Sequence, residues 1–138
     1  AGAAKLAIKR ETLLWFEHGA CVPGTTVGCG VDHAHLHLLV APPFTMDEFR
    51  SETSAASRIL WTHSPIDAAY SSLDGNESYY AFGDDSQAWF ATNVNLGSQF
   101  FRRVIATLVG RPAEWDYKVH DGKANVLETL RLLAKEAA

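Results

Sequence analysis

The sequence predicts an α+β fold, a twisted antiparallel sheet with helices packed against one face of it. Three observations carry that expectation. Segments rich in β-branched, aliphatic and aromatic residues recur at 12–16, 31–40, 79–82 and 88–92. Helical periodicity or helix-start chemistry marks 46–56, 64–73, 98–109 and 126–136. Between two of the strands, Gly83-Asp84-Asp85-Ser86 has the composition of a hairpin turn, which only antiparallel neighbours use.

At 138 residues, the chain is read as one domain, 1–138, long enough to bury a real core. Residues 1–62 form the histidine-bearing part and 63–138 the C-terminal strands and helices. Hydrophobic residues make up 47% and charged residues 20%, as in soluble globular proteins. A net charge of −4 argues against a nucleic-acid partner, whose binding surface would be basic. No apolar run approaches the roughly 20 residues of a membrane span, so no membrane partner is expected. Lys5, Lys9 and Arg10 interrupt the first ten residues, unlike a signal peptide. Cys21 and Cys29 are too few for a disulfide framework and read as reduced thiols of a cytoplasmic protein. The chain opens on Ala1, which suggests trimming, processing or a fragment.

Residues 1–10 have helix-forming composition and read as the end of a helix. The strand at 12–16 stops at Glu17-His18-Gly19, and a loop with four glycines runs to Gly30. Pro42-Pro43 ends the second strand. Thr45 and Glu48 have capping-box spacing, which starts a helix at Met46. Arg58–Thr62 reads as a short strand, and Ser64-Pro65 opens a short helix through Leu73 with Ser64 as its cap. Ser98–Val109 carries Phe100, Phe101, Val104, Ile105, Leu108 and Val109 at helical spacing and ends at Gly110. In the last helix, capped near Asn125, the stripe Leu127, Leu130, Leu133 and Ala134 reads as a core face.

Chemistry concentrates in Val31–Val40, where His33, His35 and His37 alternate with apolar residues. Strand side chains alternate with period two, so the three imidazoles share a face; helix geometry would separate them. Three aligned polar rings carry a desolvation cost unless they are used. Metal binding, covalent catalysis with a histidine nucleophile, and anion binding all use such a row. Gly28 and Gly30, just before it, permit close approach of backbone N–H groups to an anion.

His33-Ala34-His35-Leu36-His37-Leu38-Leu39 resembles the histidine-triad (HIT) signature, His-φ-His-φ-His-φ-φ with φ apolar, at every position. Gly28-Cys29-Gly30-Val31-Asp32 resembles the run leading into it in bacterial members, and Phe16-Glu17-His18-Gly19 the family's preceding strand end. The resemblance covers about Thr12–Val40. It implies a HIT-like fold and a nucleotidyl transferase or hydrolase acting on a dinucleoside polyphosphate, nucleoside phosphoramidate or adenylylated substrate, with no metal or cofactor. His35 would be the nucleophile at the α-phosphorus, His37 a donor to a phosphate oxygen, and His33 a neighbour of the leaving group. The backbone of Gly28, Cys29, Gly30 and Val31 would bind phosphate. A nucleotide is the implied partner and a homodimer the implied assembly.

Gly30 stands where members often carry a hydroxyl, so one contact to the leaving group is missing. Glu17 stands where many carry Asn or Gln; a carboxylate there would repel phosphate unless turned away or paired, with His18 a candidate partner. A complete domain of the family has more sheet and a helix before residue 12, which implies a longer protein or a pocket completed by another chain. Ser98-Gln99-Phe100-Phe101-Arg102-Arg103 resembles a stretch that follows the triad in some bacterial members, making Gln99 and Arg102 candidate phosphate contacts beside the simpler reading of a solvated helix face. His63 and His120 read as surface residues, and Trp89 and Trp115 as core or interface. Two other readings stay open: a nucleotide-binding module with little turnover, and a metal site joining the histidines to Cys21 or Cys29 in a spacing that matches no standard zinc pattern.

Overall fold

The computed structural model describes residues 12–19, 34–73 and 77–137. Five antiparallel strands form one sheet: β1 (Leu13–Gly19), β2 (His35–Val40), β3 (Thr62–Pro65), β4 (Tyr79–Gly83) and β5 (Gln87–Thr92), in the order β2-β1-β4-β5-β3. Helices α1 (Met46–Ser57), α2 (Ile66–Ala69, continued by a 3-10 turn at Tyr70–Ser72), α3 (Phe100–Leu108) and α4 (Lys123–Glu136) complete the described elements. The expected α+β architecture is what is found.

Local chemistry explains most boundaries. Thr45 and Glu48 cap α1 reciprocally, the Thr45 hydroxyl accepting from the Glu48 N–H at 3.1 Å. Asp84 makes the β4–β5 turn by accepting from the Ser86 and Gln87 N–H groups at 2.9 and 3.0 Å.

Cross-strand register decides which residues share a face. His18 lies opposite His35, Phe16 opposite His37 and Leu14 opposite Leu39; Phe16 and His18 in turn oppose Phe82 and Tyr80 of β4. This face packs under α1 and α3, where Phe49, Phe82, Phe101, Tyr80 and Leu14 are fully buried. Phe101 touches Phe16, Phe49, Trp61, Tyr80, Phe82 and Phe100 at ring-centroid distances of 4.9–6.3 Å. Burying each such side chain is worth about 2–3 kcal/mol, so this layer fixes where α3 sits over the sheet.

The opposite face carries a second apolar group, Trp15, Ala81, Ala88 and Phe90, covered by Ala69 and Ile66 of α2. Helical cover therefore lies on both faces rather than one. Further differences from the sequence reading have identifiable causes. β1 continues through Gly19, because pairing with β2 and β4 carries Glu17 and His18 into the ladder. Gly19 lies against Tyr79, whose ring occupies the space a Cβ would need. The short strand begins at Thr62 instead of ending there, recruited by β5, and Ser64 lies within it with its hydroxyl on the Pro65 carbonyl, so it caps nothing. Helix α4 starts at Lys123 after Gly122, which takes a φ of 67°, and Asn125 lies inside it. None of its residues is buried: Leu127, Leu130, Leu133 and Ala134 are exposed, not core. No described helix is long and apolar enough to cross a membrane.

Candidate functional site

Among the described residues β2 is an edge strand, and its pleat sends His35, His37 and Leu39 toward the helical layer while Leu36, Leu38 and Val40 point to the exposed side. The alternation read from the sequence thus holds for His35 and His37. His33 and the turn Gly28, Cys29, Gly30 and Val31 lie outside the described residues, as do Cys21 and the loop around it.

The structure adds a third imidazole from a different strand. Register places His18 beside His35, with ring centroids 5.6 Å apart, and 5.9 Å from His37; His35 and His37 are 6.2 Å apart. Phe16 stacks on His37 at 4.5 Å with planes inclined by 12°. These three imidazoles border a cavity of about 230 Å³, closed on the other side by the start of α3, Gln99 to Arg102, and by Tyr117.

Charge in this cluster is biased toward neutrality. Burial, then the proximity of His37 and His35, lowers His18 to about 4. Burial, then Arg102 and His35, holds His37 below the ordinary imidazole value. Both rings are therefore neutral at pH 7, each able to donate one N–H and keep one lone pair. The cationic group here is Arg102, exposed at one end and lying 5.3 Å over the Tyr117 ring; among the described residues it makes no ion pair.

Gln99 is buried and takes a left-handed φ of 55° as the residue before α3. Its amide donates to Asp116 and accepts from the Tyr117 N–H, both at 3.3 Å. Gln99 thereby ties the 116–117 turn to the start of α3 and seats Tyr117 at the cavity. Among the described residues no side chain caps the first turn of α3, whose N–H groups leave a partial positive charge at this end.

Glu17 is the candidate that the geometry separates from the others. Adjacent to His18 in β1, it points to the opposite face of the sheet and is buried there. The Tyr70 hydroxyl donates to it at 2.6 Å, and the Tyr79 hydroxyl makes a second short hydrogen bond. Burial, then the hydrogen bond to that carboxylate, pushes the Tyr70 phenol well above its ordinary value. Of the alternatives the sequence left open for Glu17, the structure has the carboxylate turned away from the histidine face; His18 is not its partner, and Glu17 does not line the histidine cavity. His63 is exposed, as expected, and stacks on Trp89 at 4.8 Å. Sequence reasoning left out Phe16 and Tyr117 as site walls and read Trp115 as core or interface, whereas Trp115 lines a second cavity next to His37. Tyr117 carried no signal, since its position depends on hydrogen bonds to a residue 18 positions earlier.

Among the described residues no group of three or more His, Cys, Asp or Glu side chains is arranged to hold a metal ion. What the arrangement offers is a neutral imidazole pair around His35, an arginine and a helix start, all facing one small cavity. Comparison of the chain with family models, curated proteins and solved structures finds no match.

Proposed function

We propose that the protein is a histidine-triad-type nucleotidyl hydrolase or transferase in which His35 attacks the α-phosphate of a nucleotide. The observation that carries this reading is the convergence of His18, His35 and His37 on one cavity with Arg102 and the start of α3. A nitrogen lone pair of His35 would form a bond to phosphorus as the bond to the leaving group breaks, the leaving group departing with the electron pair and taking a proton. Water would then attack the same phosphorus, release the nucleoside monophosphate and return the imidazole to its starting state; an acceptor other than water would give transfer. Dividing the displacement into two steps is the gain from a covalent intermediate.

The neighbours suit that sequence of events. Neutral His37 would donate an N–H to a phosphate oxygen, and Arg102 would offset the negative charge that develops there. Neutral His18 places no positive charge of its own beside the nucleophile. With Glu17 on the far side of the sheet, no carboxylate of β1 faces the substrate anion. We place this reaction in the cytoplasm, following the reading of the two cysteines as reduced thiols, and in a homodimer, following the sequence resemblance.

The direct test is His35→Ala assayed with a dinucleoside polyphosphate and with a nucleoside phosphoramidate. Turnover is expected to fall by about 10³-fold or more, with nucleotide binding retained within a few-fold. A nucleotidylated His35 is expected in wild-type protein quenched during turnover and analysed by mass spectrometry under neutral conditions. Unchanged turnover in the variant overturns the reading. Binding of nucleotide without turnover or adduct favours the non-catalytic binding module instead.

A further inference from the structure

A separate cavity of about 300 Å³ opens between α1 and α3. It meets the histidine cavity at Phe100 and contains none of the imidazoles. Its walls carry one charge of each sign, Glu52 from α1 and Arg103 from α3. Both side chains are partly buried. Neither makes an ion pair among the described residues, so the two charges line one space without meeting.

Arg103 is held in place by its surroundings. Its guanidinium donates to the Leu96 carbonyl and lies 5.8 Å from the Phe100 ring centroid and 5.9 Å from that of Trp115. Gly97, at a φ of 81°, lets the chain pass close by, where a Cβ would stand 3.1 Å from Nη2. The Arg103 Nε–H is buried and has no acceptor among the described residues. A partly buried cation with an unanswered donor favours an anion beside it. Asn95 adds to the same wall: its Oδ1 accepts from the Gly97 N–H at 2.9 Å, which leaves its N–H groups to donate. Donors thus collect on the α3 side, and a carboxylate stands on the α1 side. Leu96, Phe100 and Val104 supply apolar lining.

A simple anion here would face the Glu52 carboxylate, and a simple cation would face Arg103, each at a cost. A small molecule with an anionic end, a cationic end and an aliphatic group meets all three walls with complementary chemistry. We propose that this cavity binds a free α-amino acid with an aliphatic side chain, its carboxylate on Arg103 and Asn95 and its ammonium on Glu52. The cavity lies near the lower end of the roughly 300–1,000 Å³ typical of small-molecule sites, which suits so small a ligand. Binding here is independent of the chemistry at His35.

The test is an NMR titration of the full chain, reading backbone amide shifts, with three probes. L-valine carries both charges, isovalerate lacks the ammonium and isobutylamine lacks the carboxylate. Wild type is expected to bind L-valine saturably, with shifts centred on α1 and residues 95–107, and about tenfold or more tightly than either single-charge analogue. Glu52→Gln should weaken L-valine by about tenfold while isovalerate binds at least as tightly as to wild type, because the repelling charge is gone. Asn95→Asp keeps an acceptor for the Gly97 N–H and should weaken both L-valine and isovalerate by about tenfold, with isobutylamine not weakened. Ala56→Trp, at an exposed position of α1, fills the cavity without entering the core and should abolish binding of all three probes. The absence of saturable L-valine binding by wild type overturns the proposal. So does isovalerate binding as tightly as L-valine, or L-valine binding that Glu52→Gln or Ala56→Trp leaves unchanged.

Discussion

Protonation of His18 should make the fold acid-sensitive by a calculable amount. The ring is buried beside His35 and His37 and titrates near 4 in the native state, against about 6.5 for a free imidazole. Because the native value is the lower one, the unfolded chain binds more protons between pH 4 and 6.5, and stability falls as pH is lowered through that window. Above pH 6.5 the contribution is fully present. At about 1.4 kcal/mol per unit, the difference between pH 7 and pH 5 comes to about 2 kcal/mol from this group. His37, also lowered, acts in the same direction. Urea unfolding at the two pH values reads the effect directly: with a slope of about 2 kcal/mol per molar, wild type should lose about 1 M in its midpoint on account of His18. His18→Gln, which cannot take up a proton in this range, should be weaker at pH 7 but should show a pH 7 to pH 5 decrement smaller by about 2 kcal/mol. If wild type and His18→Gln lose the same stability on acidification, His18 is not the buried neutral ring described here, and the argument for a neutral cluster around His35 fails with it.

Two other substitutions probe the frame rather than the chemistry. Tyr70→Phe removes one of the two hydroxyls that satisfy Glu17 and should cost about 1 kcal/mol in urea unfolding, reduced by the exposure of the tyrosine, with catalytic constants unchanged because Glu17 faces away from the histidines. An altered kcat would mean that the two faces of β1 communicate. Thr45→Ala breaks the reciprocal cap of α1 and should lower stability by about 1 kcal/mol, read as a loss of a few degrees in the melting temperature; no change would show that packing of Phe49 alone holds the start of that helix.

How much of this was legible in advance depended on the range of the determining interaction. Period-two alternation is local, and it placed His35 and His37 on one face correctly. The capping box at Thr45 and Glu48 and the turn at Gly83–Ser86 are local as well, and both appear where their residues put them. His18 was only a weak candidate, because its approach to His35 is a matter of register between strands separated by a loop, and one strand's sequence does not state its register. The same long-range dependence hid the recruitment of Thr62–Pro65 by β5 and the opposite facing of Glu17 toward two tyrosines. Hydrophobic spacing in α4 was clear, but periodicity says that a stripe exists and not what it meets; here it meets no core. Gln99 fell inside a segment read as helix, and only the backbone shows it to be the left-handed residue at which the helix begins.

The Glu17 knot has a consequence for how the imidazoles come to meet at all. Moving β1 by a single residue against its neighbours would bring an acid into the company of the rings and send His18 to the two phenols, exchanging the characters of the two sides at once. Tyr70 and Tyr79 both donate to the charged acceptor on that stretch, so they act as a latch on alignment. A carboxylate that never approaches the substrate thereby selects which ring does.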